Sequence, residues 1–457
     1  MDSQVKQLPL FKQFLWGTGG FGYVLLERML IVYVIFFYLP PKEYQIFDLV
    51  SDHVFFGFLT AVGVAQLLAR VIDGLVDPAV ASLSDRCKAG VGRRKLFLLI
   101  SALPMAVISV LMFYPPVINE VSFINGLWLG VMWSLFYVFY TGYLTPYFAL
   151  ISELGHTNAL RINLGTFHGL FNLVGSIFPI VIFPVLLTYF QNTGMEIRES
   201  YQVSAIIFAV LALLFLYLAT ISFSEKKHCQ PAKLPDLNMW KSLKTVYANK
   251  PFKILLIGEL FAQFGFYMLN LGLLYYVTVI FQREEAFLVV IGGAAIGCAL
   301  VSFPFINRFT KKIGKKKLLV ASSLLMAIAT LVAFILSFNM TGINVYIAIL
   351  MFGFGGIALA VKIILVIPTY GELAREEFTR TGTQREAMFY AARNLPLKFT
   401  IAFSGVVFAF LISAFGRDVA DPLGVQLGIL VISICSLISM IWFAFYPDKQ
   451  IRESLSD

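Results

Sequence analysis

Asp73 and Asp77 stand four residues apart in the apolar run "LLARVIDGLVDPAVASL", with Arg70 three residues before the first of them. On a helix this spacing stacks both carboxylates on one face and sets Arg70 on the same side. Two carboxylates in a medium of low dielectric repel each other, and a cation settling between them relieves the repulsion. A pair that is costly when empty and relieved by a cation is what a coupling-ion site requires, and oxygen-only ligands suit Na⁺ or a proton. Asp77 followed by Pro78 also reads as the capped end of a helix, but Asp73, a turn deeper, does not. Glu27, Arg28, Glu259, Lys362, Arg393 and Lys398 also fall in apolar runs. Ionisable groups at membrane depth are rare and mark functional positions.

Composition dictates the elements that must position these groups. The chain has 457 residues, 59% hydrophobic and only 13% charged, with mean hydropathy +0.82. Soluble domains run to about 25% charged residues, so this is an integral membrane protein. Its apolar runs are continuous and reach the ~20 residues of a spanning helix, which excludes the alternating pattern of a β-barrel. Hydropathy and breakers predict spans at 14–39, 55–83, 96–114, 121–150, 164–190, 201–223, 252–281, 287–306, 318–338, 342–370, 384–415 and 422–446. The longest hydrophilic gap divides them into bundles at 1–223 and 252–457, joined by a central cytoplasmic loop at 224–251. If the N-terminus is cytoplasmic, the segments on its side carry 26 of the 35 Lys and Arg, and the other side only Lys42, Arg198, Arg283 and Arg417. That bias predicts a multi-pass protein of a plasma or inner membrane with both termini cytoplasmic. It also accounts for the net charge of +9 without a nucleic-acid partner. The first apolar segment is too long for a signal h-region and should remain as the first span.

The two halves repeat. "DRCKAGVGRRKL", 85–96, aligns without gaps to "NRFTKKIGKKKL", 307–318, so Gly92 meets Gly314 and the basic triplets coincide. Duplicated six-helix halves with a site near the midplane are the plan of major facilitator transporters. The expected fold is all-α, with 12 transmembrane helices in two pseudo-symmetric halves.

The run R-x-x-D-x-x-x-D-P followed by "DR…GRRK" resembles the second helix and following loop of the glycoside–pentoside–hexuronide:cation symporters, the melibiose permease family. "GTGGFG", "TPYFALISEL" with Arg161, "NKPFKILL" and "TYGELAREEFTRTGTQREAMFYAARNLPLK" resemble further motifs of that family in chain order. The similarity covers nearly the whole chain. It implies that Asp73 and Asp77 hold the coupling cation (as metal ligands if it is Na⁺), that Thr141 is a hydroxyl ligand beside them, and that Lys398 on the eleventh helix faces them from the other half. Arg70 and Arg393 join Lys398 as coupling or gating candidates. A lysine there also fits the physics, since a buried ammonium opposite a dicarboxylate can exchange partners when a cation enters.

The departures from the family pattern concern ion and substrate. An asparagine common between the aspartates is Val76 here, which removes one oxygen ligand and weakens the case for Na⁺ over H⁺. Two carboxylates that grip sugar hydroxyls in the family's sugar transporters align with Val24 and Leu144, and apolar positions discriminate a polyol poorly. Glu27, a turn from Val24, either substitutes for the missing carboxylate or pairs with Arg28. Phe148 aligns with a sugar-stacking tryptophan and, with Tyr147 beside it, completes the substrate-binding candidates; Lys398 and Arg393, about a turn apart, would meet an acidic group.

Other signals carry less. "GTGGFG" matches a dinucleotide fingerprint only literally, because it opens a membrane helix, where glycines serve close contact or bending; Gly353, Gly355 and Gly356 read the same way. His53, His156, His168 and His228 are scattered, with His168 near the start of the fifth span. "MWKSLKTVYANK", 239–250, reads as an amphipathic helix lying on the inner leaflet. Cys87, Cys229, Cys298 and Cys435 have no metal spacing and read as ordinary thiols. No enzyme motif appears. The expectation is a monomeric cation-coupled symporter, Na⁺ or H⁺, that imports a small organic solute such as a glycoside and uses no cofactor beyond the ion. The alternatives are a symporter of lysophospholipids or acidic amphiphiles, and a receptor that kept the fold without transport.

Overall fold

The computed structural model describes residues 6–44, 46–51, 53–54, 60–87, 90–118, 120–155, 158–229, 239–338, 345–381 and 386–451. Among these no strand occurs. Met1–Leu234 and Pro235–Asp457 form two compact units. The first holds six long helices: α1 (Leu10–Tyr38), α2 (Ala61–Arg86), α3 (Arg93–Leu111), α4 (Phe123–Leu154), α5 (Asn158–Asn192) and α6 (Ile197–Ile221). The second holds α7 (Lys250–Ile280), α8 (Phe287–Ile313), α9 (Lys315–Ser337), α10 (Val345–Thr381), α11 (Glu386–Ala414) and α12 (Leu423–Ala444). Ten of these are apolar and long enough to cross a bilayer on composition alone. The others are α2, which carries Arg70, Asp73 and Asp77, and α8, whose apolar part ends at Phe303.

Local chemistry explains several helix starts. The Thr60 hydroxyl accepts from the Gly63 N–H at 3.1 Å and caps α2. Asn249 caps α7 by accepting from the Phe252 N–H at 3.0 Å, with Pro251 in the first turn where its missing donor costs nothing. Helix ends depart from the expected limits mostly on the side of the basic loops, where α2, α4, α8 and α10 run on to Arg86, Leu154, Ile313 and Thr381. Hydropathy sees only the apolar part of such a helix, whereas its backbone bonds continue into polar turns. Pro78 lies inside α2, so Asp77 does not end a helix, and that alternative is corrected.

The aligned glycines of the repeat have a backbone reason. Gly92 (φ 116°) and Gly314 (φ 89°) both turn the chain into the third helix of their unit through the left-handed region, which a Cβ disfavours. In the first unit the Glu225 carboxylate accepts from the Arg94 and Lys95 N–H groups at 3.1 and 3.0 Å, an acidic cap on α3. Arg93 and Arg94 each donate to Glu153 at 2.7 Å. In the second unit Lys315 pairs with Glu372, so in each unit an acid on the fourth helix holds a base at the start of the third. Cys229, a free thiol beside Glu225, is pushed above the usual thiol range first by burial and then by the nearby carboxylates.

The glycines of "GTGGFG" serve close contact. A Cβ on Gly20 would meet the His168 carbonyl oxygen at 2.8 Å, and one on Gly22 the Ala212 carbonyl oxygen at 2.8 Å. Contact is tightest at Gly356, where a Cβ would lie 1.9 Å from the Ala295 carbonyl oxygen. Gly356→Ala is therefore expected to force α8 and α10 apart at a cost of about 1–3 kcal/mol. That loss is to be read as a fall of several degrees in the melting temperature of the purified protein, and an unshifted melting curve would contradict the packing.

The amphipathic segment forms a helix, Met239–Ala248, but it does not lie free on a bilayer surface. Val246 is buried in the core of the second unit with Phe252, Tyr370 and Phe389, and the Tyr247 hydroxyl donates to the Ala392 carbonyl at 2.7 Å. The side chain of Trp240, which the sequence places on one face with Leu243 and Tyr247, falls outside the described residues, as do those of His156 and Arg161.

Candidate functional site

In the first unit, α2 and α4 carry two matched contacts. The Thr141 hydroxyl donates to Asp73 Oδ1 at 2.6 Å, and the Thr145 hydroxyl donates to Asp77 Oδ1 at 3.2 Å. Both pairs are separated by 68 residues in sequence, so the helices run parallel here and in register, with one rung per turn. Asp73 is only 2% exposed. Two carboxylates and two hydroxyls converge, a hard oxygen set suited to Na⁺ or H⁺ and unlike a thiolate or imidazole site. Among the described residues no cluster of three or more His, Cys, Asp or Glu could hold another metal. Thr145 was not singled out as a site residue by sequence, although it opens the quoted "TPYFALISEL"; its spacing from Thr141, equal to that of the aspartates, is the signal that marks it.

Arg70 is set between two acids on different helices. Its Nη1 lies 3.6 Å from Asp73 Oδ2 and its Nη2 lies 3.5 Å from Glu27 Oε1, while its guanidinium sits 4.1 Å over the Tyr137 ring. The Tyr140 hydroxyl donates to Glu27 Oε2 at 3.0 Å. Glu27 thus joins the ion site through Arg70 and α4.

The substrate candidates divide. Tyr147 is fully buried, stacked on Trp16 at 4.4 Å, and its hydroxyl donates to the Trp16 carbonyl at 3.0 Å. Its ring and hydroxyl are spent on packing α4 against α1, and its assignment as a substrate ligand is corrected. Val24 is buried as well and offers no surface to a solute. Leu144 is half-buried, and Phe148 is 43% exposed. Behind Phe148 lies a layer the sequence did not assemble. His168 packs edge-on to its ring at 5.2 Å, Tyr23 lies within 3.4 Å of His168 Nε2, and Asn172 Nδ2 donates to the Tyr23 hydroxyl at 3.0 Å. His168 sits well inside α5, which begins at Asn158.

In the second unit Glu259, 2% exposed, accepts from Arg393 Nε, which lies 3.1 and 2.9 Å from its two oxygens, and from the Tyr370 hydroxyl at 2.8 Å. Arg393 Nη2 adds a further contact to the same carboxylate. This corrects the expectation that Arg393 is free for an acidic solute: its charge is matched inside the bundle. Lys398 is half-buried on α11, about a turn beyond Arg393.

The sequence model of a family described as MFS/sugar transport protein matches residues 17–449. The chain belongs to that family. It is a multi-pass membrane transporter and not an enzyme, and the resemblance to glycoside–pentoside–hexuronide:cation symporters holds. Family relatives include the uncharacterized symporter YnaJ of Bacillus subtilis, 25% identical over 94% of this chain and 89% of its own. The glucuronide carrier protein homolog of Escherichia coli is 24% identical over 86% of each chain. A solved structure of a bacterial homolog of the human lysosomal transporter Spinster, inward-facing and occupied, matches with a TM-score of 0.66 at 12% identity, covering 97% of this chain and 96% of that one. At that identity the likeness speaks for the fold alone.

Proposed function

We propose that this chain is a symporter that uses a Na⁺ or H⁺ gradient to import a small carbohydrate, a glycoside in the first instance, with both termini in the cytoplasm. The observation that carries this reading is the double rung of Thr141 on Asp73 and Thr145 on Asp77. It gathers hard oxygen ligands at membrane depth, where such groups mark ion paths. Arg70, 3.6 Å from Asp73, adjusts the charge of the pair. The relatives named as a symporter and as a glucuronide carrier homolog, together with the family's description as sugar transport, favour a carbohydrate as cargo.

A second reading, an amphiphile as cargo, is favoured by Leu144, where the resemblance implies a carboxylate in the sugar transporters, and by the exposed ring of Phe148 beside it. The deciding experiment is a solute screen in proteoliposomes with imposed Na⁺ or H⁺ gradients, with glycosides and lysolipids as separate arms. Concentrative uptake of neither class under either gradient would overturn both readings and leave a receptor of the same fold.

The ion has its own test at Val76, which lies between the aspartates on α2 without an oxygen to offer. Val76→Asn adds one and is expected to raise Na⁺ stimulation of uptake several-fold at fixed pH. Full Na⁺ dependence in the unmodified protein at alkaline pH, with no further gain in the variant, would show that the four side chains already suffice for Na⁺.

A further inference from the structure

We propose that Lys362 is an anion-recognising residue that selects an acidic sugar, so that the solute bears a carboxylate or a comparable anionic group. The inference deepens the carbohydrate reading above and rests on it. Lys362 lies in the interior of α10, on the face that also carries Ala358, Leu365, Val366 and Thr369, all buried. Ile363 and Ile367 point to the opposite side and are about half exposed. The ammonium is therefore on the inner stripe of the helix rather than among lipid tails.

The depth of Lys362 follows from the internal repeat. The offset of 222 that aligns the basic loops also aligns Pro146 inside α4 with Pro368 inside α10, and with them Tyr140 with Lys362. In its own unit Tyr140 donates to Glu27 and its neighbour Thr141 donates to Asp73. Lys362 thus occupies the level of the fourth helix that in the first unit serves the ion site, several turns from either end, beyond what a snorkelling side chain spans.

A lysine at such depth needs a negative partner, and none of the described residues of its own unit supplies one. Glu259, the buried carboxylate of α7, already meets Arg393 and Tyr370. Among the described residues Lys362 makes no hydrogen bond or ion pair. A cation kept on an apolar inner stripe without an internal partner is matched when the counter-charge arrives with the solute. The ammonium acts as a compact point charge with three donors.

The test is equilibrium binding to the full-length protein in lipid nanodiscs, with methyl β-D-glucuronide, its neutral counterpart methyl β-D-glucoside, and glucose 6-phosphate as probes. The unmodified protein is expected to bind the glucuronide at least tenfold more tightly than the glucoside. Lys362→Gln should erase that preference while changing glucoside affinity less than twofold, and Lys362→Arg should keep most of it. Tighter binding of the phosphate ester than of the glucuronide would keep the anion site and change its cargo. An unmodified protein that binds neither anion, or a Lys362→Gln variant that loses all probes equally, overturns the assignment. Proteoliposome uptake separates the two readings: glucuronide that binds through Lys362 but is never concentrated defeats the symport reading and leaves the anion site standing.

Discussion

Asp73→Asn is expected to leave a folded, normally expressed protein that no longer concentrates its solute. The amide has the shape of the carboxylate and keeps an oxygen for the Thr141 hydroxyl, which donates to Asp73 Oδ1 at 2.6 Å, so no cavity opens and the α2–α4 contact survives. Arg70 retains Glu27 at 3.5 Å. What is lost is the negative charge that a cation must meet, and with it the differential affinity through which an ion gradient drives the solute. Accumulation should fall by two orders of magnitude or more, to the level set by equilibration. Exchange of internal for external solute, which needs no net ion movement, should fall less. Thr141→Val, which removes a hydroxyl and leaves the charge, should weaken ion affinity by a smaller factor. Unchanged concentrative uptake in Asp73→Asn at normal expression would sink the ion-site assignment.

The second large effect is on stability and belongs to the other unit. Glu259→Met or Arg393→Met alone leaves one member of a buried pair without its counter-charge, a loss of roughly 3–5 kcal/mol. The double variant Glu259→Met with Arg393→Met removes both charges and should recover much of that loss, because an apolar replacement of a buried pair is often close to neutral. Tyr370 loses its acceptor wherever Glu259 becomes Met, since its hydroxyl donates to Glu259 at 2.8 Å, so recovery in the double variant is expected to be incomplete. Melting of the purified single and double variants closes the cycle. Single variants that melt with the unmodified protein would show that the pair is solvated and that Arg393 is available to a solute after all.

The sequence displayed the spans and the charges they contain more clearly than it displayed the partners of those charges. Asp73 and Asp77 could be read together because helical spacing is local, and Thr141 followed from the family resemblance. Glu259 and Arg393 were both conspicuous as ionisable groups in apolar runs, yet their pairing spans 134 residues and depends on which faces of α7 and α11 meet. No local pattern encodes that. Tyr147 misled for a related reason: an aromatic beside a substrate position looks available until its neighbour Trp16, far away in sequence, is seen stacked on it. Helix limits were readable where apolar residues end abruptly and not where α10 continues through charged turns to Thr381.

The equal spacing of the two rungs between α2 and α4 has a mechanical meaning. A slide of α2 along α4 by less than a full turn breaks both hydroxyl–carboxylate contacts at once. A slide of one turn, ~5.4 Å, restores one of them, with Asp73 opposite Thr145 or Asp77 opposite Thr141, and strands the remaining carboxylate and hydroxyl. The two helices are detented against shear: they have one deep stop, shallower stops a turn to either side, and nothing between. Small forces leave them locked, so the two rungs tie α2 and α4 together against sliding.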